Sequence, residues 1–169
     1  MRRSEGEFER VAMPHAPSLL RFALRLTHDA PSAEDLVQET LLLAWRGFGQ
    51  FQTGTNARAW LFRILINAFH AQNRKARRSQ PSPVLTSDIW AAPDSNLEFL
   101  EVVQALERLG AGQRTVLLLA AVEGFTCREI ADILAIPIGT VMSRLCRARE
   151  AMRELLPPRC GLRGEKVVP

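Results

Sequence analysis

Residues that can recognise nucleic-acid bases are spaced along one helix near the end of the chain. Between Pro137 and Arg149 the sequence carries three arginines and no Asp or Glu. A helical projection places four polar residues opposite the apolar positions, with Arg144 beside them: Thr140, Ser143, Arg147 and Glu150. Because arginine can pair with guanine in the major groove or hold a phosphate, this face predicts recognition of duplex DNA. The alternative is an ordinary solvated helix face, which does not explain why acidic residues resume only at Glu150.

A second set of polar and aromatic residues follows one stripe of an earlier, basic helix. Its members are Trp60, Arg63, Asn67, His70 and Arg74, at i, i+3, i+7, i+10 and i+14. Stacking rings, arginines and amides in one groove suit single-stranded nucleic acid, because the ring stacks on a base while the arginine follows the phosphates. Two alternatives stay open. Trp60 can pack in a core, and the basic end of the helix can simply complement the helix dipole.

A third set lies on the outer face of the preceding helix. It consists of Asp35, Gln38, Glu39 and Leu42, followed by Arg46. A leucine among acids and an amide indicates either a solvated face or, more specifically, a surface for a protein partner.

The charge pattern supports a polyanionic partner. The 169-residue chain has a net charge of +4 and a pI near 9.6, and the excess is concentrated, since no Asp or Glu occurs from Thr40 to Ser87. A stretch of one sign and this length predicts a nucleic-acid surface. A solubilising basic face is the alternative.

Residues for covalent or metal chemistry are not grouped in the sequence. The three cysteines form no CxxC pair, the three histidines are scattered, and no paired carboxylates occur in the basic stretch. We therefore expect no metal, no cofactor and no nucleic-acid enzyme. Cys127 and Cys146 are predicted to be small core residues, which is the commoner role.

Targeting signals and membrane-spanning segments are not evident in the sequence. No signal peptide is evident, and the longest apolar run, Val116 to Val122, is far shorter than the ~20 residues of a membrane span. Together with the odd, small number of cysteines, this predicts a cytoplasmic protein.

The elements that carry these residues are predicted to be helices in two blocks, giving an all-α fold of two small domains joined by a flexible linker. The first block contains helices at Pro17–Leu26, from a capping box at Ser32, and from an Asn56 N-cap to about Arg78. The face that runs from Val37 to Phe48, including Trp45, is predicted to be buried. The predicted divisions are a domain at 1–78, a linker at 79–96, a domain at 97–156 and a tail at 157–169.

The second block ends in a helix-turn-helix. Thr126 opens a short helix with a capping-box spacing, a turn follows at Ala135 to Gly139, and a longer helix runs to Leu155. In such a unit the second helix enters the major groove and contacts bases from its N-terminal part.

Three strings in this order resemble one family. They are SAEDLVQETLLLAWRGFGQF, NARAWLFRILINAFHAQNRKARR and VEGFTCREIADILAIPIGTVMSRLCRAREAMREL, and with the linker they extend the likeness over about 130 residues. The chain resembles extracytoplasmic-function (ECF) sigma factors of the sigma-70 family. The resemblance implies a factor that binds core RNA polymerase, directs it to the −10 and −35 promoter elements and promotes initiation.

The resemblance also implies roles for individual residues. It assigns contact with the β′ clamp coiled coil of polymerase to Asp35, Gln38 and Glu39, −10 recognition to Trp60, Arg63 and Asn67, and −35 recognition to Thr140, Ser143, Arg144 and Arg147. Leu42 joins the first set, and His70 and Arg74 join the second, because they lie on the same predicted helix faces. Further implied partners are the polymerase β subunit and an anti-sigma factor. Some strings look closest to a redox-responsive subgroup held by zinc-containing anti-sigma factors. One departure is Met142, where many members have Lys or Arg. The competing hypothesis is a helix-turn-helix regulator that does not join polymerase.

Overall fold

The computed structural model describes residues 5–52, 54–79 and 97–156. In these ranges all regular structure is helical, which agrees with the predicted fold class. The α-helices are α1 (Glu5–Ala12), α2 (Ala16–Thr27), α3 (Ala30–Gly47), α4 (Ala57–Ser79), α5 (Leu97–Arg108), α6 (Ala111–Ala121), α7 (Cys127–Leu134) and α8 (Ile138–Leu155). The predicted tail, and the predicted linker beyond Ser79, lie outside the described residues.

Helices α1 to α4 share a core of aromatic and aliphatic side chains. Leu19 and Phe22 of α2, Leu36 of α3 and Phe62 of α4 are fully buried in it. Helix α1 was not predicted, because eight residues with few apolar positions give a weak periodic signal. Its Phe8 packs edge-on against Phe48, with ring centroids 5.2 Å apart.

The start of α3 differs from the prediction by a few residues. Its N-cap is Asp29, whose carboxylate accepts a hydrogen bond of 2.8 Å from the backbone N–H of Ser32. Ser32 is therefore inside the first turn and does not cap it. Pro31 fits this first turn, where its missing N–H would have no partner in any case. Hydrogen bonds from the side chain and from the backbone N–H of Ser32 lower the pKa of the Asp29 carboxyl.

The burial of α3 also corrects the prediction for Trp45. This side chain is 41% exposed, and its ring packs edge-on against Phe8, with centroids 5.2 Å apart. The predicted members Val37, Ala44 and Phe48 are buried, and the buried face also includes Ala33, Leu36 and Thr40. The hydroxyl of Thr40 donates to the carbonyl of Leu36 at 2.7 Å, so its burial leaves no polar group unpaired.

Helix α4 begins as predicted. The side-chain carbonyl of Asn56 accepts a hydrogen bond of 3.0 Å from the N–H of Ala59, which is the N-cap interaction. Leu61, Leu65 and Ala68 are buried and fix the rotation of the helix about its axis.

Helices α7 and α8 form the predicted helix-turn-helix. At the start of α7, Thr126 and Glu129 make the reciprocal capping box, and Ala135 ends the helix in a left-handed conformation with φ of 52°. Val141, Leu145 and Ala148 of α8 are buried, as their spacing predicted. Their burial turns the opposite face of α8 outward.

Among the described helices none combines the length and apolarity that crossing a membrane requires.

Candidate DNA and polymerase interfaces

The outer face of α8 carries the residues predicted to recognise duplex DNA. Ser143 and Arg147 are exposed, while Thr140 and Arg144 are half-buried. The hydroxyl of Ser143 donates to the carbonyl of Thr140 at 3.1 Å. This face can therefore present a guanidinium and a hydroxyl to base edges without disturbing the core.

Arg144 has a structural contact that the sequence did not reveal. Its guanidinium lies over the start of α6, so close that a Cβ on Gly112 would stand 3.2 Å from the Nη1 atom. The glycine gives room for the arginine, which is thereby held beside the outer face of α8.

The predicted single-strand stripe on α4 is only partly exposed. Arg63, Asn67, His70 and Arg74 are exposed. Loss of hydration and the charge of Arg74 lower the pKa of His70, which favours the neutral imidazole, a form that can hydrogen-bond to a base edge.

Trp60, at the start of that stripe, packs against aromatic neighbours. Its ring centroid lies 4.8 Å from that of Phe51 and 6.4 Å from that of Phe48, and the residue is half-buried. This contact supports the packing alternative for most of the ring, and base stacking on its remaining exposed part stays a prediction.

The predicted protein-binding face of α3 is open to solvent. Asp35, Gln38, Glu39 and Leu42 are all exposed. Glu39 also accepts a hydrogen bond of 2.7 Å from the side-chain amide of Gln72, which ties this face to α4. Trp45 lies three residues after Leu42, so the two exposed apolar side chains are neighbours on the helix surface. That spacing was visible in the sequence, but Trp45 had been assigned to the core.

The two halves of the chain are in direct contact through α4 and the segment around α7. The guanidinium of Arg58 donates to the carboxylate of Glu123 at 2.6 Å and lies 4.3 Å from the ring centroid of Phe125. The Phe125 ring packs edge-on against Phe62, with centroids 5.1 Å apart. The side-chain amide of Asn56 donates to Glu129 at 2.8 Å.

Glu129 takes part in both the cap and this contact. Hydrogen bonds from Thr126, and then from Asn56, hold the pKa of the Glu129 carboxyl below its usual value. The carboxylate form is therefore the one that the interface selects.

A second contact between the halves surrounds His28, which ends α2 in a left-handed conformation. The Nε2 atom of His28 lies 3.5 Å from the guanidinium of Arg114, and its Nδ1 atom lies 3.9 Å from Glu107. Burial and the charge of Arg114 lower the pKa of His28, while Glu107 opposes that shift. Both contacts leave Arg63, Asn67, Ser143 and Arg147 exposed.

The cysteines divide between packing and exposure. Cys127 packs against the core as predicted, but Cys146 is exposed on α8, so its assignment as a core residue was wrong. Cys160 lies outside the described residues. Within the described ranges, no group of three His, Cys, Asp or Glu side chains could hold a metal ion.

Known proteins resemble both halves of the chain. The family described as Sigma-70 region 2 matches residues 11–79, and the family described as Sigma-70, region 4 matches residues 99–152. The ECF RNA polymerase sigma factor EcfG of Rhodopseudomonas palustris is 41% identical over 144 residues, which cover 83% of this chain and 80% of that protein. The ECF RNA polymerase sigma factor SigL of Mycobacterium tuberculosis is 39% identical over 148 residues, which cover 82% of each.

A solved structure extends this likeness to three dimensions. The sigma factor RpoE from Bartonella quintana, crystallised in complex with the anti-sigma factor NepR, superposes with a TM-score of 0.79 at 36% identity, covering 88% of this chain and 96% of that chain.

Proposed function

The chain belongs to the extracytoplasmic-function group of sigma-70 factors, and we propose that it uses three separate surfaces in transcription initiation. As a sigma factor it binds core RNA polymerase and starts transcription at promoters. The surfaces are the outer faces of α3, α4 and α8. The proposal concerns which residues do which part.

The observation that carries this division is the exposed face of α3. Asp35, Gln38, Glu39 and Leu42 are open to solvent, and Trp45 adds a second large apolar side chain beside Leu42. A protein that only bound DNA would have no use for an acidic and apolar face. We assign it to the β′ clamp coiled coil of polymerase.

The −10 element falls to α4. Arg63 and Arg74 follow the phosphates of the melted strand, and Asn67 contacts an exposed base. His70 contributes hydrogen bonding, and the exposed part of Trp60 offers a stacking surface. These roles suit α4, which carries no Asp or Glu from Ala57 to Ser79.

The −35 element falls to α8, with contacts from Thr140, Ser143, Arg144 and Arg147. The α5–α8 domain at 97–156 is assigned to −35 DNA and the β subunit, and the domain at 1–78 to the clamp and −10 DNA. RNA polymerase catalyses RNA synthesis, so we assign no catalytic residue to this chain. We assign the chain to the cytoplasm, where the polymerase acts.

An anti-sigma factor completes the set of partners. This assignment is supported by the superposition on a sigma factor that was crystallised with its anti-sigma factor. Membership of the redox-responsive subgroup stays a prediction.

The deciding experiment reverses charge on the α3 face. The double variant Asp35→Lys, Glu39→Lys places like charges against a basic partner surface, which can cost several kcal/mol. We expect capture of core polymerase to be lost while circular dichroism shows a folded protein. Asp35 lies in the second turn of α3, beyond the first turn in which the helix dipole favours negative charge, so the melting temperature is expected to stay close to that of the parent chain.

The matched control is Glu9→Lys, Asp132→Lys, which makes the same charge change at exposed positions on α1 and α7. It should capture core polymerase like the parent chain. A folded Asp35→Lys, Glu39→Lys variant with parental affinity would contradict the assignment and favour a regulator that does not join polymerase.

A further inference from the structure

Two large apolar side chains are exposed at the start of α8. Ile138 is 47% exposed and Met142 is 58% exposed, whereas the neighbouring Val141 is fully buried. Because they are four residues apart, they lie next to each other on the helix surface. They form the apolar pair of α8, in its first two turns, where a recognition helix contacts base edges.

The surroundings of the apolar pair are positively charged. From Ile138 to Arg149 the helix carries Arg144, Arg147 and Arg149 and no carboxylate. Such surroundings complement a nucleic acid. Arg149 is exposed and follows Met142 by seven residues, so it lies on the same side of α8, and Ser143, assigned above to the −35 element, is the residue after Met142. These two features together favour DNA over a protein as the occupant.

The chemistry of the Met142 side chain limits which groups on DNA it can contact. Its side chain has no charge and no N–H donor, so it cannot bond to guanine or to phosphate as Lys or Arg would. The apolar group that a base presents in the major groove is the C5-methyl of thymine. Methionine is flexible and polarisable, so it adapts well to such a contact.

We propose that Ile138 and Met142 make this protein select thymine in the −35 element, by packing against thymine C5-methyl groups in the major groove. The proposal rests on the assignment of α8 to the −35 element. It places the sequence preference of this chain in an apolar contact beside the hydrogen bonds of Ser143 and Arg147.

The test removes single methyl groups from the DNA. Holoenzyme formed from the full chain and core polymerase first selects duplexes from a library with a randomised −35 segment. Each thymine of the selected element is then replaced by deoxyuridine, which lacks only the methyl group. At one or two positions we expect affinity to fall about threefold to fivefold, as for removing one buried methyl group.

The variant Met142→Ala shows whether that loss passes through this side chain. With this variant, or with Ile138→Ala, the same deoxyuridine substitution should have little further effect. Met13→Ala is the matched control, since Met13 is 50% exposed and lies before α2 in the other domain. It should keep the full response to deoxyuridine.

The outcomes separate this inference from the function it rests on. If Arg147→Ala weakens −35 binding but deoxyuridine affects parent and Met142→Ala equally, the thymine contact is wrong and the −35 assignment stands. If Arg147→Ala has no effect on −35 binding, the assignment of α8 fails first. If Met142→Ala loses core polymerase, the apolar pair binds protein and the inference is overturned.

Discussion

Arg58 and Glu123 meet across the two halves of the molecule, with 2.6 Å between Nη2 and Oε2, although 65 residues separate them in sequence. The carboxylate is almost fully enclosed, with 4% of the Glu123 side chain exposed, while Arg58 keeps contact with solvent. The same guanidinium lies over the ring of Phe125. This pair therefore contributes, with the Phe62–Phe125 and Asn56–Glu129 contacts, to holding α4 against the helix-turn-helix.

Removing the carboxylate should loosen this arrangement. In Glu123→Ala the guanidinium loses its charged partner, and a hydrogen bond to a charged group contributes ~1.5–3 kcal/mol. We expect the radius of gyration in small-angle X-ray scattering to increase while helix content by circular dichroism is kept. Glu154→Ala, at an exposed position of α8, is the control. Superimposable scattering curves for Glu123→Ala and the parent would show that the pair does not hold the halves together.

Thr126→Ala should destabilise the helix-turn-helix. The Thr126 side chain accepts a hydrogen bond from the N–H of Glu129, and the Glu129 carboxylate accepts one of 2.9 Å from the N–H of Thr126. Loss of such an N-cap costs ~1 kcal/mol. Urea unfolding should show this loss for Thr126→Ala and recovery for Thr126→Ser. An unchanged midpoint in the alanine variant would mean that the cap adds nothing to stability.

Acidification should destabilise the folded chain through His28. Burial and Arg114 lower its pKa in the fold, so the unfolded chain, with a pKa near ~6.5, takes up the proton first. The contribution of His28 to the free energy of unfolding is therefore fully present above pH ~6.5. It is lost as the pH falls toward the lower pKa that His28 has in the folded chain. Arg25, Glu107 and Arg114 are the charged groups around it.

The variant His28→Asn tests this effect, because asparagine tolerates the left-handed conformation at this position. Its melting temperature should fall less between pH 7.5 and 5.5 than that of the parent. His15 and His70 also have lowered pKa values, so some acid sensitivity remains. An identical fall in both proteins would assign the effect to those two histidines.

Modification of Cys146 should block promoter binding. This thiol is exposed on α8, directly before Arg147. The free chain is treated with N-ethylmaleimide, the reagent is removed, and core polymerase is then added. We expect polymerase capture to be kept and −35 binding to weaken at least several-fold, because the added group would lie beside the face of α8 that we assign to the −35 element. Cys146→Ser should resist the treatment; equal inhibition of both proteins would move the effect to another cysteine.

Much of the fold and of the candidate interfaces could be predicted from the sequence alone, because the sequence patterns that indicate them are local. The Asn56 and Thr126 caps depend on hydrogen bonds within three residues. The buried series of Val141, Leu145 and Ala148 depends only on the period of a helix. From such signals followed the all-α fold, the helix-turn-helix and the outward face of α8.

Only the tertiary structure decided what depends on partners far along the chain. Trp45 has the spacing of a core residue, yet α3 turns its Leu36 side inward and leaves Trp45 beside Leu42. Trp60 has the spacing of a DNA-contacting residue, yet Phe48 and Phe51 cover part of it. The pairing of Arg58 with Glu123 has no local signature, since either residue by itself is an ordinary surface charge. Periodicity assigns a residue to a face of its helix, whereas long-range packing decides which neighbour covers that face.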